Sequence, residues 1–307
     1  MLCVLYVNAV TALLCIVVTL IERVLPAAWP RRWLWCGALV ISIVMPGYYR
    51  THHNWSVASV PSEASIDATW WSRVESFDST IEYIWLLSSA ALIAWGLANV
   101  IRVAIIVRNA RSESADPSNV DEVPVVVTDV TGPATVGLLR TRVLVPRWVL
   151  ALPRAQRRYV IRHEDEHRKA HDARLLFFAS LALILMPWNL ALWWHLRRLR
   201  LAVEMDCDSR VVDALGDAHA YGELLLKVAQ ASSRGPGLQP ALLGVGMLER
   251  RLTQLVAPAP LKHIQRLLLP AAAIGLLFVV LKMPHPVLEH APASHAAMKS
   301  QAHTGFK

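Results

Sequence analysis

Long apolar runs constrain this chain more than any motif, because about 20 uncharged residues in a row suit a bilayer helix and little else. Residues 2–21 (LCVLYVNAVTALLCIVVTLI) carry no charge. Residues 33–46 are a shorter run, but Trp29, Trp33 and Trp35 flank one end and Tyr48 and Tyr49 the other, as interfacial belts do. Residues 81–101 form a third run and 264–283 a weaker fourth. Composition agrees: 55% of the 307 residues are hydrophobic, too many for an ordinary soluble domain of this length. The N-terminus has neither a basic start nor a small-residue cleavage site, so no removable leader is expected.

Basic residues set the expected orientation. Arg23, Arg31 and Arg32 lie between the first two runs, and Arg102, Arg108 and Arg111 follow the third. Residues 51–80 hold only Arg73 against Glu63, Asp67, Glu75 and Asp78. The positive-inside rule then puts the N-terminus outside, residues 108–263 in the cytoplasm and the tail after Met283 outside again. The net charge of +8 is mostly this topology signal, and direct nucleic-acid binding is not expected. Cys3, Cys15 and Cys36 fall in or beside apolar runs and Cys207 in the cytoplasmic part, so no disulfide framework is implied. The polar, Ser-rich stretch 109–122 reads as a linker.

Beyond it, residues 123–146 read as two or three small strands, and from Pro153 to about Met186 no Gly or Pro interrupts a helix. That helix contains RHEDEHRKAHDAR, residues 162–174. Histidines four apart lie about 40° apart around a helix, so His163 and His167 can both reach one Zn²⁺. Glu164 points about 100° away, badly for a third ligand but well for a base acting on water at the metal. The intervening Asp165 and Glu166 make the outer face of this helix an expected solvated face.

His171 is an unsuitable third ligand, since His163 to His171 spans about 12 Å of straight helix. Glu204 is the better one, with Asp208 on the same helix face to hold a histidine from behind. Residues 174–198 test this choice, because a true span there would separate Glu204 from the histidines. Pro187 and Asn189 break the run into pieces too short to cross. A hairpin turning at 187–189 has arms of about 30 Å and about 26 Å, which returns Glu204 to the level of His167. Cys207 could be a redox-sensitive thiol or an inhibitory ligand, although a small buried side chain is the plainer reading. His52, His53 and the tail histidines 285, 290, 295 and 303 read as solvated rather than metal-binding. Tyr159, Tyr221 and several arginines all qualify as an oxyanion donor.

These motifs resemble the membrane-bound zinc metallopeptidases that include the receptors BlaR and MecR. The likeness runs from about 123 to 255 through GPATVGLLRTRVLVP, HEDEH with Asp172, PWN, the Glu204–Asp208 string EMDCD and ERRLTQL. It implies zinc on His163, His167 and Glu204, Glu164 as general base, and a cytoplasmic-side peptidase that cleaves itself or a partner repressor of the BlaI or MecI type. About 24 residues follow the last apolar run, so an outer sensor domain and β-lactam sensing by this chain alone are not expected.

The expected fold is mainly α: a polytopic membrane protein with about four transmembrane helices and a membrane-associated helical zinc-peptidase domain containing a small β element. Residues 1–110 would hold three spans, 111–263 the peptidase with its membrane-dipping hairpin 174–198, and 264–307 the last span and tail. The expected setting is the inner membrane, with a protein or peptide substrate, the bilayer and, as an option, further copies of the chain as partners. The rival readings are a catalytically silent signalling receptor or scaffold of the same fold, and a small ion transporter.

Overall fold

Each of the four apolar runs forms a helix in the computed structural model, which describes residues 2–25, 29–52, 68–113, 118–120, 123–128, 132–138, 140–233, 241–256 and 263–282. They are α1 (Leu2–Val24), α2 (Arg31–His52), α3 (Ala68–Glu113) and, last in the chain, α10 (His263–Lys282). Among the described residues, two stretches are long and apolar enough to cross a bilayer: Tyr6–Val24 in α1 and Thr80–Asn109 in α3. The apolar core of α10 is the shorter Leu268–Val280, and Pro270 lies inside that helix. α3 is longer at both ends than the expected third run. It absorbs the start of the expected linker, since no proline stops it before Pro117. Ile84, Leu87, Trp95 and Ile101 along α3 are exposed and give this helix an apolar surface.

Among the described residues four strands, more than expected, form one sheet: β1 (Ser118–Val120), β2 (Val123–Thr128), β3 (Ala134–Val136) and β4 (Arg142–Pro146), in the order β1-β2-β4-β3. β2 and β4 pair in parallel, and the two outer pairings are antiparallel. Alternation sends Val125, Val143 and Val145 to one face, where they pack with Val149, Val160, Ile161 and Leu224. Val126 and Leu144 face the other way, beneath Ile106 and Val107 of α3. The turn from β3 to β4 needs Gly137, whose φ is +103° and where a Cβ would overlap the Arg140 carbonyl. β3 is thus a short edge strand laid beside the next long helix.

After the single-turn α4 (Arg147–Leu150), that helix is α5 (Arg154–Ala170), followed by α6 (Asp172–Leu185) and α7 (Leu190–Leu215). The expected continuous helix from Pro153 to Met186 is therefore interrupted. His171 adopts a left-handed conformation (φ 57°, ψ 32°), ends α5 and starts α6. Histidine visits this region more readily than most residues, so neither Gly nor Pro marks the break.

The second interruption falls where the sequence places it. Asn189 caps α7 by accepting from the Leu192 N–H at 3.0 Å, and α6 and α7 form a helical hairpin. α1 runs beside α7 in the same direction. The Asn189 amide donates to Thr11 at 3.0 Å, and Arg198 pairs with Glu22 at 2.6 Å. Phe178, Leu185, Leu190 and Trp193 leave the hairpin's outer surface apolar. At its far end, α7 caps α2: the Asp206 carboxylate accepts from the Arg31 and Arg32 N–H groups at 3.1 and 3.0 Å. α9 (Ala241–Val256) then packs along α7 and against α8 (Ala218–Ser233), whose Tyr221 meets Cys207 and Val211 of α7.

Candidate metal centre

α5 carries His163 and His167 one turn apart, with their Nε2 atoms 3.2 Å from each other. The hairpin returns α7 so that Glu204 faces both. Its Oε2 is 3.6 Å from His163 Nε2 and its Oε1 is 3.8 Å from His167 Nε2. Donors at bonds of about 2.0–2.1 Å around a tetrahedral zinc lie roughly 3.3 Å apart, so this donor set fits the ion that the sequence implies.

Each imidazole is held from behind. His167 Nδ1 is 2.9 Å from Asp172 Oδ2, and Asp172 also pairs with Arg32 at 2.8 Å. The break at His171 makes this contact possible, because residues five apart on an unbroken helix would lie about 140° apart. His163 Nδ1 is 2.9 Å from the Tyr221 hydroxyl, which donates to Asp208 Oδ1 at 2.7 Å. Arg251 of α9 grips both Asp208 oxygens at 2.7 Å and reaches Glu204 Oε2 at 3.0 Å. With both Nδ1–H groups donating, both Nε2 atoms point inward, and loss of the Nε2 protons leaves the tautomer that metal ligation needs.

The electrostatics favour positive charge between these residues. Burial opposes a charge on His163, but Cys207 and Glu204 outweigh it and push its pKa up to about 10. For His167, burial is likewise overcome, by Asp172, Cys207 and Glu204, and the pKa rises to about 12. Burial works against the Glu204 carboxylate as well, yet Arg251 and the two histidines hold its carboxyl well below the usual range.

Glu164 is buried, with the Thr135 hydroxyl of β3 2.9 Å from its Oε2 and 2.6 Å from its carbonyl. The edge strand thus orients this carboxylate. The expected solvated face at Asp165 and Glu166 is not one: both are buried. Asp165 pairs with Arg168 and Lys169, and Glu166 with Arg162 and Arg210. Charge on a helix surface does not reveal whether another element will supply its partners.

A second donor set, His163, His167 and Cys207, also lies within 4.8 Å. The Cys207 sulfur sits 3.4 Å from His163 Nδ1 and 3.4 Å from the His163 carbonyl, whereas Glu204 lies against the two Nε2 atoms. The Glu204 set is therefore the better one for an ion at the inward-facing Nε2 atoms. His171 is an exposed turn residue. His53 and the tail histidines lie outside the described residues, and nothing is described of the His52 side chain. Tyr221 is 1% exposed and committed to His163 and Asp208, and Tyr159 donates to the Gly216 carbonyl, so neither is free to serve as an oxyanion donor. Sequence reasoning gave Arg251 and Thr135 no named role and used Arg32 only as a sign of orientation. Arg251 lies in ERRLTQL and Thr135 in GPATVGLLR, and those strings were the only signal.

The Regulatory protein BlaR1 of Bacillus licheniformis is 26% identical over 114 residues, which cover 36% of this chain and 19% of that protein. The matched stretch is thus about one-fifth of that relative's length. The family described as BlaR1 peptidase M56 matches far more, residues 2–255. That range takes in every residue of the histidine–glutamate cluster and its supports, and the chain belongs to the BlaR1 peptidase M56 family.

Proposed function

We propose that the chain is a membrane-embedded, zinc-dependent regulatory endopeptidase. The observation that carries this reading is two Nε2 atoms and one carboxylate at ligand spacing, with a second, buried carboxylate one residue from the first histidine. His163, His167 and Glu204 would hold Zn²⁺, with Asp208 and Asp172 fixing the two imidazoles. The ion supplies a Lewis acid that polarises a peptide carbonyl and eases deprotonation of water. Glu164 accepts the proton from the attacking water and returns it to the leaving amine. Thr135 keeps that carboxylate aimed, and Arg251 keeps Glu204 ionised.

The arginine distribution supports four spans, α1, α2, the apolar part of α3, and α10, with the metal centre on the cytoplasmic side. Residues 1–110, 111–263 and 264–307 then divide into spans, peptidase and last span. Family membership supports a protein substrate, either the chain itself or a repressor of the BlaI or MecI type. A zinc peptidase accounts for Glu164, which a silent receptor would not need.

Glu164→Gln tests the assignment, because glutamine keeps the size but cannot act as a base near neutral pH. Cleavage of self or partner should fall at least roughly 100-fold while zinc content stays the same. His163→Ala and Glu204→Ala should instead lose the metal, measured by elemental analysis. A cleavage product that persists unchanged in Glu164→Gln would come from another protease, and the receptor reading would take its place.

A further inference from the structure

Outside the metal centre, one cleft brings together chemistry that the proposed reaction does not use. It lies between α7 and α9, has a volume of about 360 Å³ and is lined by Trp194, Arg197, Arg198, Leu201, Met247 and Arg250, with Glu249 at its side. The volume falls at the lower end of the roughly 300–1,000 Å³ typical of small-molecule sites. Arg198 is already neutralised by Glu22, and its guanidinium lies over the rings of Trp35 and Trp194, which fixes one wall. Arg197 and Arg250 are exposed and have no ion-pair partner among the described residues. Two free guanidinium groups against the Glu249 carboxylate leave one net positive charge, the complement of a single phosphodiester.

The position of the cleft selects the source of that phosphodiester. Arg198 pairs with Glu22 in the last turn of the apolar stretch Tyr6–Val24, so Arg197 and Arg198 stand at the inner end of that span. From Arg197 to the hairpin cap at Asn189 is about 12 Å of helix, close to the roughly 15 Å of one leaflet's hydrocarbon. Between them, Trp193, Trp194 and Leu190 are exposed, an apolar track leading from the arginines into the leaflet. We infer that this cleft binds the headgroup of an anionic phospholipid of the cytoplasmic leaflet. Arg197 and Arg250 take the phosphodiester, and the acyl chains run along the exposed face of α7. The phosphate would bridge α7 to α9. The inference rests on the membrane reading above.

The full-length chain, in detergent with equal amounts of phosphatidylglycerol and phosphatidylcholine of matched acyl chains, tests it by native mass spectrometry. The parent should retain phosphatidylglycerol preferentially. Arg197→Gln/Arg250→Gln should lose that preference roughly tenfold or more while keeping its zinc. Millimolar inorganic phosphate should not displace the lipid. Equal retention of the two lipids by the parent, or undiminished preference in the double variant, overturns the proposal. Displacement by inorganic phosphate overturns it in favour of a soluble-anion site. Carbonate extraction of the parent from its membrane is scored separately: release there overturns the membrane reading itself and the lipid site with it.

Discussion

Tyr221 shows how much of the centre depends on groups that would never touch the metal. Its hydroxyl accepts from His163 and donates to Asp208, which Arg251 holds in turn. Tyr221→Phe keeps the ring and removes only this relay. Zinc affinity, read by competition with a chromophoric chelator, should fall roughly 10–100-fold with an unchanged far-UV spectrum. Unaltered affinity would reduce Tyr221 to a packing residue. His171 gives the opposite case. It is held at φ 57°, where glycine rests without strain, so His171→Gly should keep full zinc content and lose no stability. Loss of zinc in that variant would bring His171 back as a ligand. The His163–Glu164–His167 spacing was readable from the sequence because i and i+4 meet by helix geometry alone. The break at His171 was not, because a left-handed histidine has no sequence signature comparable to glycine's.

Among the elements, the α6–α7 hairpin decides whether a metal centre exists at all. Its turn was readable from Pro187 and Asn189, one lacking an N–H and the other supplying a cap. Its consequence for Glu204 followed from arm lengths. Reporter fusions made after Leu152 and after Asp217 should report the same side of the membrane. Opposite sides would make residues 174–198 a true span and would separate Glu204 from His163. The burial of Asp165 and Glu166 lay beyond such reasoning, because Glu166 is neutralised partly by Arg210 of α7, 44 residues away.

Across the whole molecule, the centre is where distant segments meet. α5 and α7 bring the proposed ligands, β3 the hydroxyl on Glu164, α8 the tyrosine, α9 Arg251 and α2 Arg32. An ion between α5 and α7 should therefore stabilise the fold and not only the site. Zinc at 100 times its dissociation constant contributes about 2.7 kcal/mol. Thermal unfolding in detergent should shift downward on chelation and recover on adding Zn²⁺. An unfolding temperature indifferent to both treatments would uncouple the centre from the fold.

Local rules account for a good part of this protein. Run length and charge mark the apolar helices, helical periodicity pairs His163 with His167, and proline and asparagine turn the hairpin. Each of these depends on residues within one or two helical turns, where backbone geometry leaves few alternatives. Long-range packing chose the rest: Asp172 under His167 by way of a left-handed turn, Arg251 across Asp208 and Glu204, and Asp206 as the cap of α2. Those partners are 5, 43 or 47, and about 175 residues apart, and many charged residues could have met there. Only the packing of α2, α8 and α9 onto the α5–α7 pair selects among them, because burying a charge demands a specific partner while exposing it demands none.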